Sequence, residues 1–440
     1  MSYFDEVRRK VDSLLRWAEL RHEQGGPAVA ADMKRLERVL ATMTRRYERL
    51  APSAAIRRRE PNTLNAIRAA RPPGPRKLWK EFDADLHAER VAGAWLARAA
   101  GCTLGAAVEG WQVERMENLA RHCRMDFPPK DYWTFTPSPW DKRYNVSVFA
   151  DYLRQNLRHV PADDDLAYTL LGLLILEEYG PDFTTADVAA AWLKYIPMAY
   201  TAEKVTLENL SAHVRAGGRP GENWRRAAIK DNPFVEWIGA DIRADPWGYA
   251  APGWPELAAE LAYRDACLSH RNNGIYGAMY FAAAVSAAFA VDDPLDACRI
   301  ALAEIPARCR LRADLAWALR TAPRVKDYRH GRELVDDRFP GMSTVHTNNN
   351  ACLTIFGLAL GGRDVTAVIG NTVAMGLDND CTAATAGSLV GAVVGAAAIP
   401  KHWTSPFYNR CRCYLRGREW FTNTDIVRRF VRAARAVWEA

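Results

Sequence analysis

The sequence predicts an all-α protein, and three observations support this fold class. Helix-forming Ala, Leu, Arg and Glu recur throughout the 440 residues, whereas runs of alternating β-branched residues are scarce. Hydrophobic residues make up 49% of the chain, which is enough for a large buried core. Two stretches also repeat small residues every four positions, a spacing that lets one helix approach another closely.

An N-terminal pair of helices comes first. Residues 3–23 and 30–50 each show helical periodicity, and Gly25-Gly26-Pro27 separates them. The pattern predicts a helical hairpin with a charged outer face. Such a hairpin is suited to forming a homo-oligomer or to binding another partner, and the sequence does not decide between the two.

A basic, proline-rich segment over residues 51–80 follows the hairpin. It carries eight basic side chains and one acidic side chain, within a chain whose net charge is +7. Such a charge excess suits either a nucleic-acid contact or a solvated linker. Because no aromatic stacking platform accompanies it, we favour the linker and do not expect a nucleic-acid partner. We therefore predict a hairpin and linker over residues 1–85 and a main helical domain over residues 86–440.

The cysteine pattern and the apolar segments bear on location. The nine cysteines are scattered and form no CxxC pair, which argues against a disulfide framework or zinc site and favours a reducing cytoplasm. The first residues do not resemble a signal peptide. A run without charge over residues 381–400 is long enough for a membrane span. It is mostly Ala, Gly, Ser and Thr, so we expect a buried core helix and no membrane partner.

Small residues recur at helical spacing in two distant stretches. The rows are Gly93, Ala97, Gly101 and Gly105 in the first stretch, and Gly387, Gly391 and Gly395 in the second. A helix face with almost no side chains allows the backbone of a second helix to come close. The two rows suggest that these segments pack near each other.

Two clusters of carboxylates stand directly before long uncharged stretches. They are Asp163-Asp164-Asp165 and Asp378-Asn379-Asp380. Each cluster alone is also typical of a helix start, where the macrodipole favours acidic side chains. Grouped carboxylates repel one another and are costly to bury unless a cation joins them. Together the clusters predict one shared site for hard divalent ions, which prefer oxygen ligands.

Three sequence blocks resemble the ADP-ribosylglycohydrolase family, whose type member activates dinitrogenase reductase. GCTLGAAVE at residues 101–109 resembles the family block G-D-A-x-G-x-x-x-E, and DDDLAYTLL at 163–171 resembles T-D-D-T-x-M-T-L. GLDNDCTAATAGSLVGA at 376–392 resembles G-G-D-T-D-T-x-A-x-x-x-G-x-x-x-G-A. The resemblance implies an all-α orthogonal multi-helix bundle that holds two Mg²⁺ or Mn²⁺ ions in a cleft, with the N-terminal hairpin as an addition.

The resemblance also implies roles for individual residues. It makes metal ligands of Asp164, Asp165, Asp378 and Asp380, and it matches Glu109 to a glutamate that lies over the metal pair. Glu109, Asp164 and Asp165 are the candidate catalytic residues. Two further predicted ligands, Asp163 and Cys381, occupy positions where the family has threonine.

This chain departs from the family pattern at three site positions. Cys102 replaces an aspartate, while Asp163 and Cys381 replace threonines. An additional carboxylate supplies hard oxygen, whereas a thiol is a poor ligand for Mg²⁺. The resemblance therefore implies a metal site with an altered ligand shell.

Two polar loops are candidates for binding substrate. Residues 269–279 resemble the Asn-Gly-rich loop that holds diphosphate and ribose in the family, although Tyr280 follows Met279 where the family has arginine. Residues 346–350 form a second loop that is suited to binding a sugar. Either loop is also compatible with a plain turn. The candidate residues are Ser269, His270, Asn273, Gly274, Tyr276, Gly277, His346 and Asn348.

The sequence therefore predicts a metal-dependent glycosyl hydrolase that cleaves a ribosyl bond in a small molecule or an ADP-ribosylated substrate. The missing arginine and the aromatic residues Trp237, Trp247 and Trp254 favour, as an alternative, a smaller nucleoside or glycoside substrate. The third hypothesis is a non-catalytic binding or structural member of the same fold.

Overall fold

The computed structural model describes residues 2–440, apart from the side chains of residues 147 and 148, and nearly all of the regular secondary structure in this part of the chain is helical. Its first eleven helices are α1 Asp5–Glu23, α2 Val29–Glu48, α3 Ala54–Arg59, α4 Leu64–Ala70, α5 Ala84–Ala106, α6 Val113–Cys123, α7 Asp141–Tyr144, α8 Asp164–Tyr179, α9 Thr185–Tyr195, α10 Thr201–Arg215 and α11 Trp224–Ala227. The remaining helices are α12 Asp245–Ala250, α13 Pro255–Ala266, α14 Asn273–Ala288, α15 Pro294–Ala301, α16 Arg310–Thr321, α17 Tyr328–Arg338, α18 Thr347–Gly361, α19 Val365–Ala374, α20 Asn379–Val394, α21 Lys401–Thr404 and α22 Asn423–Glu439.

Short elements complete the fold and confirm its all-α class. Six 3₁₀ segments are found in residues 2–440, at Val146–Tyr152, Ile238–Arg243, Leu302–Glu304, Ala322–Arg324, Ala396–Ala398 and Ser405–Phe407. The strands of this described range, β1 Arg410–Arg412 and β2 Trp420–Thr422, form one antiparallel pair. Its helices include none that is long and apolar enough to cross a membrane.

Helices α5 and α20 pack against each other along their small-residue faces. A Cβ atom at Gly101 would lie 2.2 Å from the carbonyl oxygen of Ala383, and one at Gly391 would lie 2.3 Å from the carbonyl oxygen of Gly93. No side chain fits at such distances, so the two glycine rows are what allows this approach. The packing is antiparallel, and it brings the end of α5 to the start of α20.

Most of helix α8 is buried. Its residues from Asp165 to Leu176 are buried, and it ends at Gly180, which has a φ of 75°. A helix that is apolar on every side belongs inside a core rather than at its surface. Helix α9 begins with a capping box, which Thr184 and Asp187 form.

The N-terminal hairpin has no buried residue. Helices α1 and α2 match the two predicted helical ranges, and large apolar side chains such as Trp17, at 56% exposure, face solvent. The segment after the hairpin differs from the predicted solvated linker. Ile67 is completely buried, and both Arg71 and Arg76 form ion pairs with the buried Glu304. This segment therefore packs onto the main body, and several of its basic side chains form ion pairs there.

Candidate metal centre and cleft

The second acidic cluster begins α20. Gly376 and Leu377 both have positive φ, at 72° and 63°, and this tight turn separates α19 from α20. Asp378 occupies the N-cap position, yet its side chain makes no capping hydrogen bond. A simple capping role does not account for this carboxylate. The turn leaves Asp378 and Asp380 facing the end of α5, where Glu109 follows the helix.

The first acidic cluster begins α8. Asp163 is the N-cap residue, and its Oδ1 atom accepts a hydrogen bond of 3.1 Å from the backbone N–H of Asp165. Asp165 itself is only 3% exposed, and its Oδ1 atom accepts no hydrogen bond. Asp380 shares this property, with one buried carboxylate oxygen that has no partner. Buried acceptors without a donor are unfavourable unless a cation or water satisfies them.

The two clusters provide two groups of side chains with metal-ligand spacing. Ligand atoms from Glu109, Asp378 and Asp380 lie within 4.8 Å of one another. Ligand atoms from Cys102, Asp163 and Asp165 lie within 4.8 Å of one another in the same way. The sequence showed that Cys102 departs from the family pattern, but it did not indicate that this thiol could be a metal ligand. Cys381, a predicted ligand, lines the same cleft.

Burial and mutual repulsion raise the pKa values of the clustered acids. Removal from water, followed by the charge of Asp164, raises the pKa of Asp163 to about 7. Burial and the charge of Glu109 raise the pKa of Asp378 to about 7. The pKa values of Asp165 and Asp380 are raised well above the ordinary range for the same two reasons. A nearby divalent cation would favour the ionised form of every one of these groups.

Glu109 differs from the other acids in its exposure. Its side chain reaches solvent, but the walls of the cleft remove part of its hydration and Asp164 lies nearby. Both effects raise its pKa, with the loss of hydration the larger. Glu109 therefore combines a perturbed pKa with access to a bound molecule, which is the combination expected of a proton-transfer group.

The acids lie in a cleft of about 600 Å³. This volume falls within the usual range for small-molecule sites. Among the described side chains that line it, there is no lysine or arginine. Its aromatic wall comprises Phe149, Tyr152, Tyr168, Tyr200, Trp237 and Tyr414. Of the three predicted tryptophans, Trp247 instead stacks on Phe183 in the core, and Trp254 packs against Trp438.

Two buried arginines support the cleft from below. Arg98 pairs with Asp245 at 2.7 Å and donates to the backbone oxygen of Asp165 at 2.8 Å. Arg243 pairs with Glu203 and with Asp265. Because both guanidinium groups are already paired and are almost completely buried, neither is free to bind a phosphate in the cleft.

Two acidic residues near the cleft were not identified from the sequence. Burial raises the pKa of Glu203, which lines the cleft, to about 7. Asp241 is 1% exposed, and both of its carboxylate oxygens lack a hydrogen-bond partner. Neither belongs to a recognisable motif. The only available signal was that Asp241 lies in the unusual Trp- and Pro-rich segment 231–256.

The predicted substrate loop does not line the cleft. Ser269, His270, Asn273, Gly274, Tyr276 and Gly277 are all buried. The Asn273 amide donates to Glu60 at 3.1 Å and to Glu236 at 2.9 Å. The Tyr276 hydroxyl donates to the backbone oxygen of Pro61 at 2.5 Å. Residues 60–62 therefore occupy the surface that a ligand of this loop would use.

The second polar loop forms a helix start. The His346 side chain caps α18 by accepting from the Asn348 N–H at 3.1 Å, and the Asn348 amide donates to Asp314 at 2.8 Å. Burial is the main reason that the pKa of His346 falls to about 4, so the ring is neutral at pH 7. The neighbouring Val345 lines the cleft, whereas the predicted residues His346 and Asn348 are not among its lining residues.

Comparison with known proteins gave one family and one solved structure of note. A sequence model described as ADP-ribosylglycohydrolase matches residues 83–439, a range that begins just before α5 and includes every acidic residue of the two clusters. A solved structure titled "ADP-ribosylglycohydrolase-related protein complex" is 19% identical, covers 80% of this chain and 99% of that chain, and has a TM-score of 0.47. No curated protein matches the chain.

Proposed function

The chain belongs to the ADP-ribosylglycohydrolase family, and from this we propose that it is a metal-dependent hydrolase of a ribosyl glycosidic bond of the ADP-ribosyl type. One observation carries the proposal. Two groups of acids, from helix starts far apart in sequence, meet in one cleft with carboxylate oxygens that have no protein partner. Such an arrangement is unfavourable in a protein without a cation.

The residues of the cleft fit two divalent ions. Asp378, Asp380 and Glu109 would hold one of them with oxygen ligands, which suits Mg²⁺ or Mn²⁺. Asp163, Asp164 and Asp165 would hold the other, and Cys381 lines the same cleft. When bound, the ions would supply Lewis acidity and would orient the ribose hydroxyls.

The protein's own side chains would then act on the glycosidic bond. Glu109 has the exposure and the raised pKa expected of a group that exchanges a proton with water or with the leaving group. Asp164 and Asp165 are the alternative candidates, and their negative charges would stabilise an oxocarbenium-like transition state. The aromatic wall would exclude water and pack against the sugar or the base.

A smaller nucleoside or glycoside is the second candidate substrate. It is favoured by the absence of lysine and arginine from the described lining of the cleft, because diphosphates are usually bound by such groups. An adjoining groove that shares Met198 and Tyr200 carries Lys204, Arg215 and Arg416. A diphosphate that extended past Tyr200 would meet these cations, which keeps the ADP-ribosyl class as the first candidate.

A non-catalytic role for the same fold remains a third candidate, and one experiment separates all three. Purified full-length protein is titrated with Mg²⁺ and Mn²⁺ and is assayed on ADP-ribosyl-arginine and on simple nucleosides. We expect metal binding and hydrolysis, both lost in the double variant Asp378→Asn/Asp380→Asn. Asp292→Asn is the matched control, since that side chain is 90% exposed. Metal binding without hydrolysis would favour the third candidate, and absence of both would exclude the proposal.

Partners and location complete the proposal. A homo-oligomer formed through α1 and α2 stays a prediction, and so does a cytoplasmic location. The nine cysteines, all of which are free thiols, are consistent with a reducing compartment.

A further inference from the structure

Cys102 is a potential metal ligand at this site that the proposed chemistry does not use. It lies on α5, one turn before Gly105, and is completely buried. Its Sγ atom and carboxylate oxygens of Asp163 and Asp165 lie within 4.8 Å of one another. Backbone contacts fix α5 against α20 on both sides of Cys102, at Gly101 and Gly105. The thiol is therefore held beside the two carboxylates by the packing of the core.

A second and independent observation points to a ligand at this position. The Oδ1 atom of Asp165 is buried and accepts no hydrogen bond. The nearest cation, Arg98 Nη2, lies 3.7 Å away, which is too far for a hydrogen bond. The guanidinium of Arg98 is directed instead to Asp245 and to backbone oxygens. An acceptor with these surroundings is suited to a metal ion.

We propose that the position bounded by Cys102, Asp163 and Asp165 binds a thiolate-accepting transition-metal ion, such as Zn²⁺, Fe²⁺ or Co²⁺, rather than Mg²⁺. The position bounded by Glu109, Asp378 and Asp380 offers oxygen alone and keeps Mg²⁺ or Mn²⁺. The inference rests on the proposed metal-dependent function and divides its two ions into different chemical classes.

Ligand chemistry supports this division. Thiolate ligands select Zn²⁺ and similar ions, whereas carboxylates alone suit Mg²⁺ and Mn²⁺. Tetrahedral zinc has bonds of about 2.3 Å to sulfur and about 2.1 Å to oxygen, which places ligand atoms roughly 3.5 Å apart. The three side chains need only small movements to reach this spacing. On binding, the thiol would release its proton to solvent and form one metal–sulfur bond.

The competing explanation is a purely structural thiol. In that case Cys102 donates a hydrogen bond to Asp163 and no metal–sulfur bond forms. The two explanations differ in a spectroscopic signal, because a thiolate bound to Co²⁺ has an intense charge-transfer absorption in the near ultraviolet and a free thiol does not. This signal does not depend on catalytic activity.

The test is a Co²⁺ titration of metal-free, full-length protein followed by absorption spectroscopy. We expect the charge-transfer band in the natural chain and in Cys298→Ser, whose thiol is equally buried but lies on α15. We expect Cys102→Ser to lose at least half of the band intensity. We also expect Cys102→Asp, which introduces the acid of the family pattern, to lose the band and to bind Mg²⁺ more tightly.

Other outcomes would overturn the inference. Cobalt binding without the band, or a band that only Cys381→Ser removes, would exclude a Cys102–metal bond while leaving the proposed hydrolase intact. Failure to bind any of Co²⁺, Mg²⁺ and Mn²⁺ would exclude the proposed function as well. Should Cys102→Ser not fold, X-ray absorption of the zinc-loaded natural chain decides the question. A sulfur neighbour at about 2.3 Å supports the inference, and a shell of oxygen and nitrogen alone contradicts it.

Discussion

Gly105 lies directly against the backbone of Asp380, where a Cβ atom at residue 105 would come within 2.3 Å of the Asp380 Cα atom. The contact joins the end of α5 to the start of α20. It therefore sets the distance between Glu109, which follows α5, and the acids that begin α20. The small-residue faces of α5 and α20 therefore help to position the acids of the site as well as to pack the core.

Substitution Gly105→Ala should weaken metal binding as well as stability. The new methyl group would push the first turn of α20 away from α5, and overpacking of this kind costs about 1–3 kcal/mol. Gly93→Ala is the matched control, because residue 93 contacts Gly391 and Gly395 at the other end of the contact between α5 and α20. We expect a similar loss of unfolding free energy for both variants and a lower Mg²⁺ affinity for Gly105→Ala alone. Equal affinities would contradict the role given to this contact.

Substitution Glu109→Gln should remove a proton-transfer group while keeping the fold. Groups of this kind contribute about 10²–10⁴-fold to rate, so we expect kcat to fall by at least two orders of magnitude. The limb of the pH–rate profile that reports the ionisation of Glu109 should also disappear. The assay is steady-state kinetics across pH, with thermal unfolding as the check on folding. An unchanged profile would assign the proton transfer to Asp164 or Asp165.

Stability of the metal-free protein should fall as pH rises from about 4 to about 7. The ordinary pKa of Asp378 is 3.8, and burial raises it to about 7 in the folded chain. The folded state therefore binds the proton more tightly than the unfolded state, so its stabilising effect is present at low pH and is lost through the folded pKa. A tenfold difference in proton affinity between the two states corresponds to about 1.4 kcal/mol of unfolding free energy. Asp163 acts in the same direction.

The measurement is thermal unfolding at several pH values with EDTA and with Mg²⁺. We expect the decline with EDTA and a much flatter dependence with Mg²⁺, because the cation favours ionised carboxylates. Asp163→Asn/Asp378→Asn should flatten the dependence without any metal. A decline of the same size in the variant would show that other groups control it.

Removal of Arg98 should destabilise the core and also disturb Asp165. Its partner Asp245 is completely buried, and breaking a buried ion pair from one side costs about 3–5 kcal/mol. We expect Arg98→Met to lose free energy of unfolding in this range in a denaturant titration. The double variant Arg98→Met/Asp245→Asn should recover part of that loss, because no buried charge is left unpaired. Equal losses in the single and double variants would contradict this account.

Much of the fold and of the candidate metal centre was predictable from local sequence signals. Glycine spacing indicated the close packing of α5 and α20, and acids before apolar runs indicated the starts of α8 and α20. Such signals work because helix periodicity and carboxylate repulsion act over a few residues. The same reasoning identified Cys102 as unusual but did not indicate what it contacts.

Residues whose role depends on distant contacts were harder to predict. Asn273 and Tyr276 looked like ligand-binding residues, yet their polar groups bind Glu60 and Pro61 from more than 200 residues away. Glu203 gave no sequence signal, and Asp241 had only its position in the Trp- and Pro-rich segment 231–256, because tertiary packing is what brings both residues near the cleft. Burial of Trp247 likewise follows from its stacking on Phe183 and could not be read from composition.

The N-terminal hairpin should control the oligomeric state. Leu14, Trp17 and Val39 are 45%, 56% and 49% exposed and line one apolar groove between α1 and α2. An apolar stripe on two helices of this length is typical of a bundle with further helices, and a second copy of the hairpin would supply them. We expect the full-length protein to be at least a dimer by light scattering.

Substitution Leu14→Glu/Val39→Glu should convert the oligomer to a monomer, because a charge in a packed helical seam is costly to bury. Ser13→Glu/Thr44→Glu is the matched control, since both residues are exposed polar positions on the same helices. Its molar mass should equal that of the natural chain. Metal binding should be the same in all three proteins, because α1 and α2 contribute no residue to the acid clusters. A natural chain that is monomeric at every concentration would exclude this role for the hairpin.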